Sequence, residues 1–289
     1  MIKDIKAKVL LSYVRQPDTW FGLRYNMNLY RGCQHQCIYC DSRSECYQIE
    51  NFADVLVKVN AIDLLNQELA SKRVKGTIGT GSMNDPYMPV EEKLNLTGRA
   101  LRAIAEFRFP VHVITKSDLV LKDLSTLREI NRVYAAVSFT VTTADDDLAK
   151  MLEPGAPPPS ARYKAMRILA DEGILTGVTM MPILPYIEDN EENIFRIVTR
   201  AHESGASYIL PSFGMSLRDR QRAYYYQKLD RLFPGLRVKY EQKFGNQYQV
   251  QANDAHRLVS QFYELCQRFG ISSQIIPYAP ETAEQLALF

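Results

Sequence analysis

The stretch Leu29-Tyr-Arg-Gly-Cys33-Gln-His-Gln-Cys37-Ile-Tyr-Cys40-Asp-Ser-Arg43 places three cysteines at the spacing C-x3-C-x2-C. It follows directly on Met27–Tyr30, a short run that reads as the first β-strand, so the cysteines belong to a loop and not to a helix face. A loop can curl until three thiolates face one centre, and Gly32 permits the sharp turn at its entrance. Several chemistries compete for such a trio. Structural zinc takes four Cys or His ligands; His35 lies between two of the cysteines but too close to either for the usual knuckle. A redox-active Cys37-Ile-Tyr-Cys40 pair would sit at a helix N-terminus and would leave Cys33 unexplained. Three thiols that merely pack have no need of this spacing. The remaining reading is an iron–sulfur cluster, whose normal ligand is thiolate. Three thiolates on a four-iron cube leave one iron open to a substrate or cofactor.

Downstream of the loop, strand and helix patterns alternate. Candidate strands are Met27–Tyr30, Thr77–Gly79, Val111–Thr115, Val133–Phe139, Leu175–Met181 and Tyr208–Leu210. Between them lie segments of helical period, such as Ile194, Ile197, Val198 and Ala201 after a helix start near Asn190. Six βα units thus fill residues 27–232 and predict a parallel sheet with crossover helices, too short for a complete eightfold barrel. The expected organisation is an α/β (βα)6 partial barrel over 27–232. An N-terminal extension, 1–26, precedes it, and a helical C-terminal extension, 233–289, packs on the same domain. A doubly wound open sheet is the rival, but its dinucleotide fingerprint is missing and Gly79-Thr-Gly81 is only a fragment of it.

Composition narrows the class. The chain has 289 residues, 46% hydrophobic and 24% charged, with a net charge of +2, which excludes disordered and low-complexity classes. Five cysteines are too few and too clustered for a disulfide framework, which suggests a reducing compartment. Cys266 stands alone and reads as a buried small hydrophobe. No apolar run approaches a membrane span, and charge in Met1-Ile-Lys-Asp-Ile-Lys occupies the place of a secretory signal's apolar stretch. A soluble, cytoplasmic protein without membrane partners is expected.

The cysteine spacing, with Tyr39 just before the last cysteine, resembles the signature of the radical S-adenosylmethionine (SAM) superfamily. The resemblance implies a (βα)6 partial barrel with a [4Fe–4S] cluster on Cys33, Cys37 and Cys40 in the loop after strand one. It also implies SAM chelated to the open iron, reductive cleavage to a 5′-deoxyadenosyl radical, and an electron donor such as a flavodoxin or ferredoxin. Further segments are similar to spore photoproduct lyase, a DNA-repair branch. These are Gly81-Ser-Met-Asn-Asp-Pro-Tyr87, Thr115-Lys116, Ser138-Phe-Thr140, Glu153-Pro-Gly155 and Met181-Pro-Ile183. By that likeness Lys116 would neutralise SAM's carboxylate and Asn84 and Asp85 would accept from its ammonium, while Ser138 would meet the ribose and Tyr39 the adenine. Asp85 equally suits a turn before Pro86, Lys116 a solvated helix entry, and Glu153-Pro-Gly155 a rigid turn. Where spore photoproduct lyase carries a hydrogen-donor cysteine near strand two, this chain has Ser82, a poor donor. Cys46 and Tyr47 are the replacement candidates, and the lyase reaction does not carry over.

A second charge pattern lies between Met215 and Gly245, where eight basic residues face three acidic ones while the rest of the chain sums to −3. Arg218, Arg220 and Arg222 with Tyr224, Tyr225 and Tyr226 could pair phosphates and stack bases, so nucleic acid is an expected partner. The competing reading is a helix with Tyr225 and Leu229 facing the core and arginines outside. The expected activity is therefore radical SAM chemistry, on a nucleic-acid base or else on a peptide or small metabolite. A metal-stabilised binding module without catalysis is the alternative from another class.

Overall fold

The structure is a computed structural model and describes residues 1–16 and 20–280. The final part of the expected C-terminal extension, 281–289, lies outside the described residues, as do positions 17–19 of the N-terminal one.

The chain begins with β1 (Ile2–Ile5), β2 (Leu11–Tyr13), β3 (Tyr25–Met27), β4 (Tyr30–Arg31) and β5 (Val55–Lys58). Alternation follows: α1 (Ala61–Ser71), β6 (Ile78–Thr80), α2 (Glu91–Leu94), α3 (Leu96–Glu106), β7 (Val111–Thr115), α4 (Leu124–Ile130) and β8 (Ala135–Thr140). Then come α5 (Asp146–Leu152), α6 (Pro159–Asp171), β9 (Leu175–Met180), α7 (Glu191–Glu203) and β10 (Tyr208–Pro211). The last elements are β11 (Gly214–Ser216), α8 (Asp219–Leu232), α9 (Leu236–Phe244), β12 (Gln249–Gln251) and α10 (Ala255–Phe269).

The principal sheet runs β10-β9-β8-β7-β6-β3-β2. Its six strands from β3 to β10 pair in parallel and in chain order, and β2 is added antiparallel at the edge. Six parallel strands joined by helices match the unit count read from the sequence, and the fold is α/β. The residues of β8 are buried along the whole strand, as a sheet covered on both faces requires. Crossover helices supply the cover, with Leu101, Ile104, Leu169, Ile194, Ile197 and Val198 in one continuous core with Val111, Val113, Val137 and Val178.

The first strand differs from expectation. It is Tyr25–Met27, and Tyr30–Arg31 leaves the sheet to join β5 and β1 in a separate three-stranded layer. The N-terminal residues are thus tied in at two places: Ile2–Ile5 pairs along Val55–Lys58, and the Asn60 side chain bonds both the N–H and the carbonyl of Ala7, each at 2.9 Å.

The C-terminal segment is not wholly helical. β11 and β12 form an antiparallel ribbon, and α10 lies along α7 with Phe262 fully buried. A second hydrophobic cluster joins Tyr225, Tyr226, Leu229, Tyr240, Phe244 and Val250 to Cys37, Ile38 and Tyr39, so C-terminal elements pack directly beneath the cysteine loop. None of the described helices is long and apolar enough to cross a membrane.

Candidate active site

One cavity of about 1160 Å³ collects residues from the ends of β6 (Thr80), β7 (Thr115), β8 (Thr140) and β9 (Thr179), and from Ser212 just past β10. Active sites of βα folds belong at the C-terminal ends of parallel strands, where loops of several units can converge. The same cavity is lined by Cys33, Cys37 and Cys40.

The loop that carries the cysteines is shaped by backbone contacts. Gly32 has φ +78°, and a Cβ there would lie 2.0 Å from the carbonyl oxygen of Asp54. From the other side, Gly155 packs where a Cβ would lie 2.2 Å from the carbonyl oxygen of Gln34, and its N–H donates to His35 O at 2.9 Å. Ile38 N–H donates to Leu152 O at 2.8 Å, so the loop is clamped onto the end of α5. Arg43 lies over the rings of Phe52 and Tyr224, at 4.4 and 3.7 Å.

Each cysteine sulfur feels its neighbours. Backbone N–H groups of Asp85 and His35 favour a negative Cys33 sulfur, and Lys116 and Arg43 do the same for Cys40. Burial nevertheless wins and raises all three thiols, Cys33 to about 12. The free thiols are therefore protonated at neutral pH, and a metal centre must displace their protons to bind. Among the described residues, no three Cys, His, Asp or Glu side chains form a group arranged to chelate a single metal ion. Three sulfurs on one zinc would stand about 3.8 Å apart, given bonds of ~2.3 Å. A cube spreads its thiolates over separate irons and accepts a wider triangle. Three sulfurs from one loop, facing one cavity with N–H donors and cations beside them, fit such a cluster. His35 does not join them: Nδ1 lies 2.9 Å from Gly155 O and Nε2 3.1 Å from Asp85 Oδ2.

Lys116 lines the cavity from the residue after β7, with Nζ 5.8 Å from the Tyr39 ring centre and 3.9 Å from Glu153 Oε1. Burial alone would lower its ammonium, but the Cys37 sulfur, once it has lost its proton, and the Glu153 carboxylate outweigh that and raise it above its ordinary value. Tyr39 also lines the cavity, and its hydroxyl donates to Glu153. Asn84 lines it as well; its Nδ2 donates to Tyr30 O at 2.7 Å, and no hydrogen bond among the described residues uses its side-chain carbonyl.

Asp85 is a correction. It reaches the cavity, but its carboxylate already accepts from Thr115 Oγ1 (2.6 Å), Lys116 N–H (2.6 Å) and Tyr87 N–H (2.8 Å), with His35 beside it. Burial would raise it, yet His35 and these donors push it down to about 2. Such a carboxylate has no acceptor position left for a ligand ammonium; it ties the cysteine loop to β7 and forms the turn before Pro86.

Ser138 is a second correction. It is fully buried and absent from the cavity wall, with Oγ 2.8 Å from His112 Nε2 and 2.7 Å from the Tyr208 hydroxyl. It points to the same face of β8 as Thr140 but one layer deeper, and Thr140 is the residue that lines the cavity. Cys46 and Tyr47 also fall outside it. Cys46 is exposed, with Arg218 Nη1 3.6 Å from its sulfur, and the Tyr47 hydroxyl donates to Asp41 Oδ2 at 3.1 Å. Neither can hand a hydrogen atom to a radical in the cavity without a rearrangement.

The arginine–tyrosine pattern of α8 is built into the structure as well. Arg218 pairs with Asp41 at 2.9 Å, Arg220 donates to Ile49 O at 3.2 Å, and Arg222 donates to Leu217 O at 2.8 Å and Gln247 O at 2.6 Å. Tyr225 and Tyr226 are buried, and Tyr224 stacks on Arg43. No continuous nucleic-acid platform of these six residues results; the core-facing alternative describes the helix.

Glu153, whose Glu153-Pro-Gly155 segment reads from the sequence as a rigid turn, has a larger part in the site. It is buried, bonds Tyr39 and faces Lys116, and it pairs with the fully buried Arg162 at 2.5 Å. Burial favours its protonation, but Arg162 and Lys116 hold it below its usual value. Arg162 lies nine positions on, so only folding reveals the pair. Thr80 goes unmarked in the sequence: its buried hydroxyl has no hydrogen-bond partner among the described residues, and the residue lines the cavity.

Comparison with known proteins identifies the family of the chain. The family model described as the radical SAM superfamily matches residues 27–198, from β3 into α7 and across all three cysteines. An uncharacterized protein of Mycobacterium tuberculosis is 27% identical over 271 residues, covering 91% of this chain and 79% of that protein. One of Methanocaldococcus jannaschii is 33% identical over 193 residues, covering 66% and 70%. Among solved structures, spore photoproduct lyase complexed with dinucleoside spore photoproduct is similar with a TM-score of 0.69, at 16% identity over 93% of this chain and 79% of that one. At that identity the likeness speaks for the fold. The family match extends over more than half of the sequence, and the chain belongs to the radical SAM superfamily.

Proposed function

We propose that this chain is a radical SAM enzyme in which Cys33, Cys37 and Cys40 each hold one iron of a [4Fe–4S] cluster, leaving the fourth iron for the amino and carboxylate groups of SAM. When bound and reduced, the cluster would supply the one electron that cleaves the sulfonium of SAM to methionine and a 5′-deoxyadenosyl radical, which would take a hydrogen atom from the substrate. A one-electron donor of the flavodoxin or ferredoxin kind would reduce the cluster. The single observation that carries the reading is that three thiols from one loop line the same cavity as Lys116 and Asn84.

The chain's own residues have distinct tasks. Lys116 sets a fixed ammonium beside the methionine carboxylate. The free side-chain carbonyl of Asn84 accepts from the ammonium. Asp85 acts through others, holding Lys116 and His35 in place. Glu153 fixes the Tyr39 ring that walls the adenine side. Thr140, bonded to Thr179 at 2.8 Å, takes the ribose position expected of Ser138.

We infer a nucleic-acid base as the reacting group. The similar lyase was solved with a dinucleoside photoproduct, and the cavity exceeds the ~300–1000 Å³ usual for one ligand, leaving room for a base beside SAM. Phe21, Leu23, Ile114, Met181 and Phe213 supply an apolar wall.

Anaerobic reconstitution with iron and sulfide, followed by SAM and dithionite, should yield 5′-deoxyadenosine, and replacing any one of the three cysteines by alanine should abolish it. A fully loaded cluster that leaves SAM intact would overturn the reading.

A further inference from the structure

The ribbon strand β12 lies beyond the residues matched by the family model and forms part of the cavity wall. Gln247, Gln249 and Gln251 recur at every second position, and all three line the cavity and are exposed. Alternation along β12 puts Gln249 and Gln251 on one face, Gln247 lies two residues before the strand, and Val250, buried between the first two, also borders the cavity. None of the three carboxamides makes a hydrogen bond within the described residues. Each of the three free amides offers the cavity a paired donor and acceptor, met by water until a ligand takes its place.

The rim next to them is cationic. Lys243 lines the cavity one turn before the ribbon, and Lys239 lies a turn earlier on α9. Neither has a carboxylate partner among the described residues, whereas Arg237 on the same helix is held by Asp230 and Glu241. Both lysine ammonium groups lie over the ring of Tyr186, at 5.9 and 5.5 Å. Tyr186 is 38% exposed and has φ +63°, a conformation that a tyrosine adopts only when its surroundings impose it. Of the carboxylates near this rim, Asp189 is turned onto Asn253, at 2.6 and 2.8 Å.

We propose that this ribbon and rim are the substrate-recognition site, and that they take a single nucleic-acid strand: Lys239 and Lys243 neutralise its phosphates, Tyr186 stacks a base, and Gln247, Gln249 and Gln251 read the hydrogen-bonding edge of the base that enters the cavity. Carboxamides match the edges of bases. The two lysines, without a carboxylate partner although Lys243 also donates to Asn253 Oδ1, decide between the two polymers with amide-bearing edges, since a nucleic-acid strand carries a charge at every residue and a peptide backbone carries none. The inference relocates the nucleic-acid contact from α8, whose arginines are consumed by the fold, to α9 and β12, and it rests on the proposed radical SAM reading for what happens to the base.

The test uses the anaerobically reconstituted holoenzyme and four labelled single-stranded decamers, one for each base, titrated over a range of salt. Wild type should bind one base in preference, with log K falling as log [salt] rises. K239E/K243E should weaken binding by about tenfold at low salt and flatten the slope by roughly 1.4, the contribution of two phosphate contacts. Q249A/Q251A should leave that slope alone while reducing the preference among the bases to under about twofold. All four positions are exposed, so loss of fold is not the expected cause, and matched thermal unfolding curves check it. The site is refuted if a holoenzyme that makes 5′-deoxyadenosine binds none of the decamers; in that case the radical SAM reading stands alone. Binding that is indifferent to both double variants, or a preference for an uncharged decapeptide over every oligonucleotide, refutes it equally. Failure to form 5′-deoxyadenosine counts against the underlying reading and leaves the binding result to judge the site.

Discussion

Glu153 meets three side chains from three separate segments: the Tyr39 hydroxyl, the Arg162 guanidinium and, at 3.9 Å, the Lys116 ammonium. With Glu153 and Arg162 both buried, removing one charge leaves the other without a partner, a loss of about 3–5 kcal/mol for such pairs. Glu153→Gln should therefore lower the unfolding free energy by that order in urea, and in the loaded enzyme it should weaken SAM binding as Tyr39 and Lys116 lose their anchor. Glu188 presents the opposite case. It is fully buried, accepts from Thr142 Oγ1 at 2.6 Å and Leu184 N–H at 3.0 Å, and burial pushes its carboxyl up to about 8. A carboxyl raised in the folded state contributes fully below its ordinary value near 4.5, and that contribution fades as pH climbs through 8. Wild type should lose stability between about pH 4.5 and 8, and Glu188→Gln should flatten that limb and gain roughly 1–3 kcal/mol at pH 9 by denaturant titration. An unchanged pH slope in the variant would refute the assignment.

At the scale of elements, the cysteine loop is held more by close backbone approach than by its own sequence. Gly32→Ala places a methyl 2.0 Å from Asp54 O in a left-handed conformation, and Gly155→Ala places one 2.2 Å from Gln34 O. Both should reduce the iron retained after anaerobic reconstitution to less than about half of wild type, since either clash moves the loop off the site. Gly173→Ala is the control: φ is +73° but nothing lies within 4 Å, so it should cost about 1 kcal/mol and leave iron content intact. Register within strands carries a different lesson. The family likeness put the ribose contact at Ser138, on the same face of β8 as Thr140, but a strand crosses several layers of the interior, and only the sheet's depth shows that Thr140 reaches the cavity while Ser138 bonds His112 and Tyr208. The β1–β5–β4 layer was hidden for a related reason, as Ile2–Ile5 finds its partner fifty residues away.

For the molecule as a whole, the segment after α8 packs back on the βα units at two places. α10 packs along α7, and Ser272 bridges to Tyr208 on β10. Phe262 is fully buried in that contact, so Phe262→Ala should cost about 3–5 kcal/mol in unfolding experiments. The second core, in which Tyr225, Tyr240 and Phe244 underlie Cys37 and Tyr39, couples the same segment to the site. Truncation after residue 232 should then reduce both stability and iron retention, even though every cysteine of the loop is still present.

The sequence by itself determined the six parallel βα units and the grouping of three thiols in one loop, because apolar periodicity and ligand spacing are local properties that survive without a tertiary context. It also determined that Lys116 and Asn84 follow strand ends, since βα order puts loops at one end of the sheet. Only the tertiary structure decided that Asp85 is spent on Thr115, Lys116 and Tyr87, that Arg162 holds Glu153, and that α8 gives its tyrosines to a core while β12 presents its glutamines to the cavity. Those outcomes depend on which segments meet after folding and on how deep each side chain lies, and burial and partner choice are set by contacts between residues far apart in the chain.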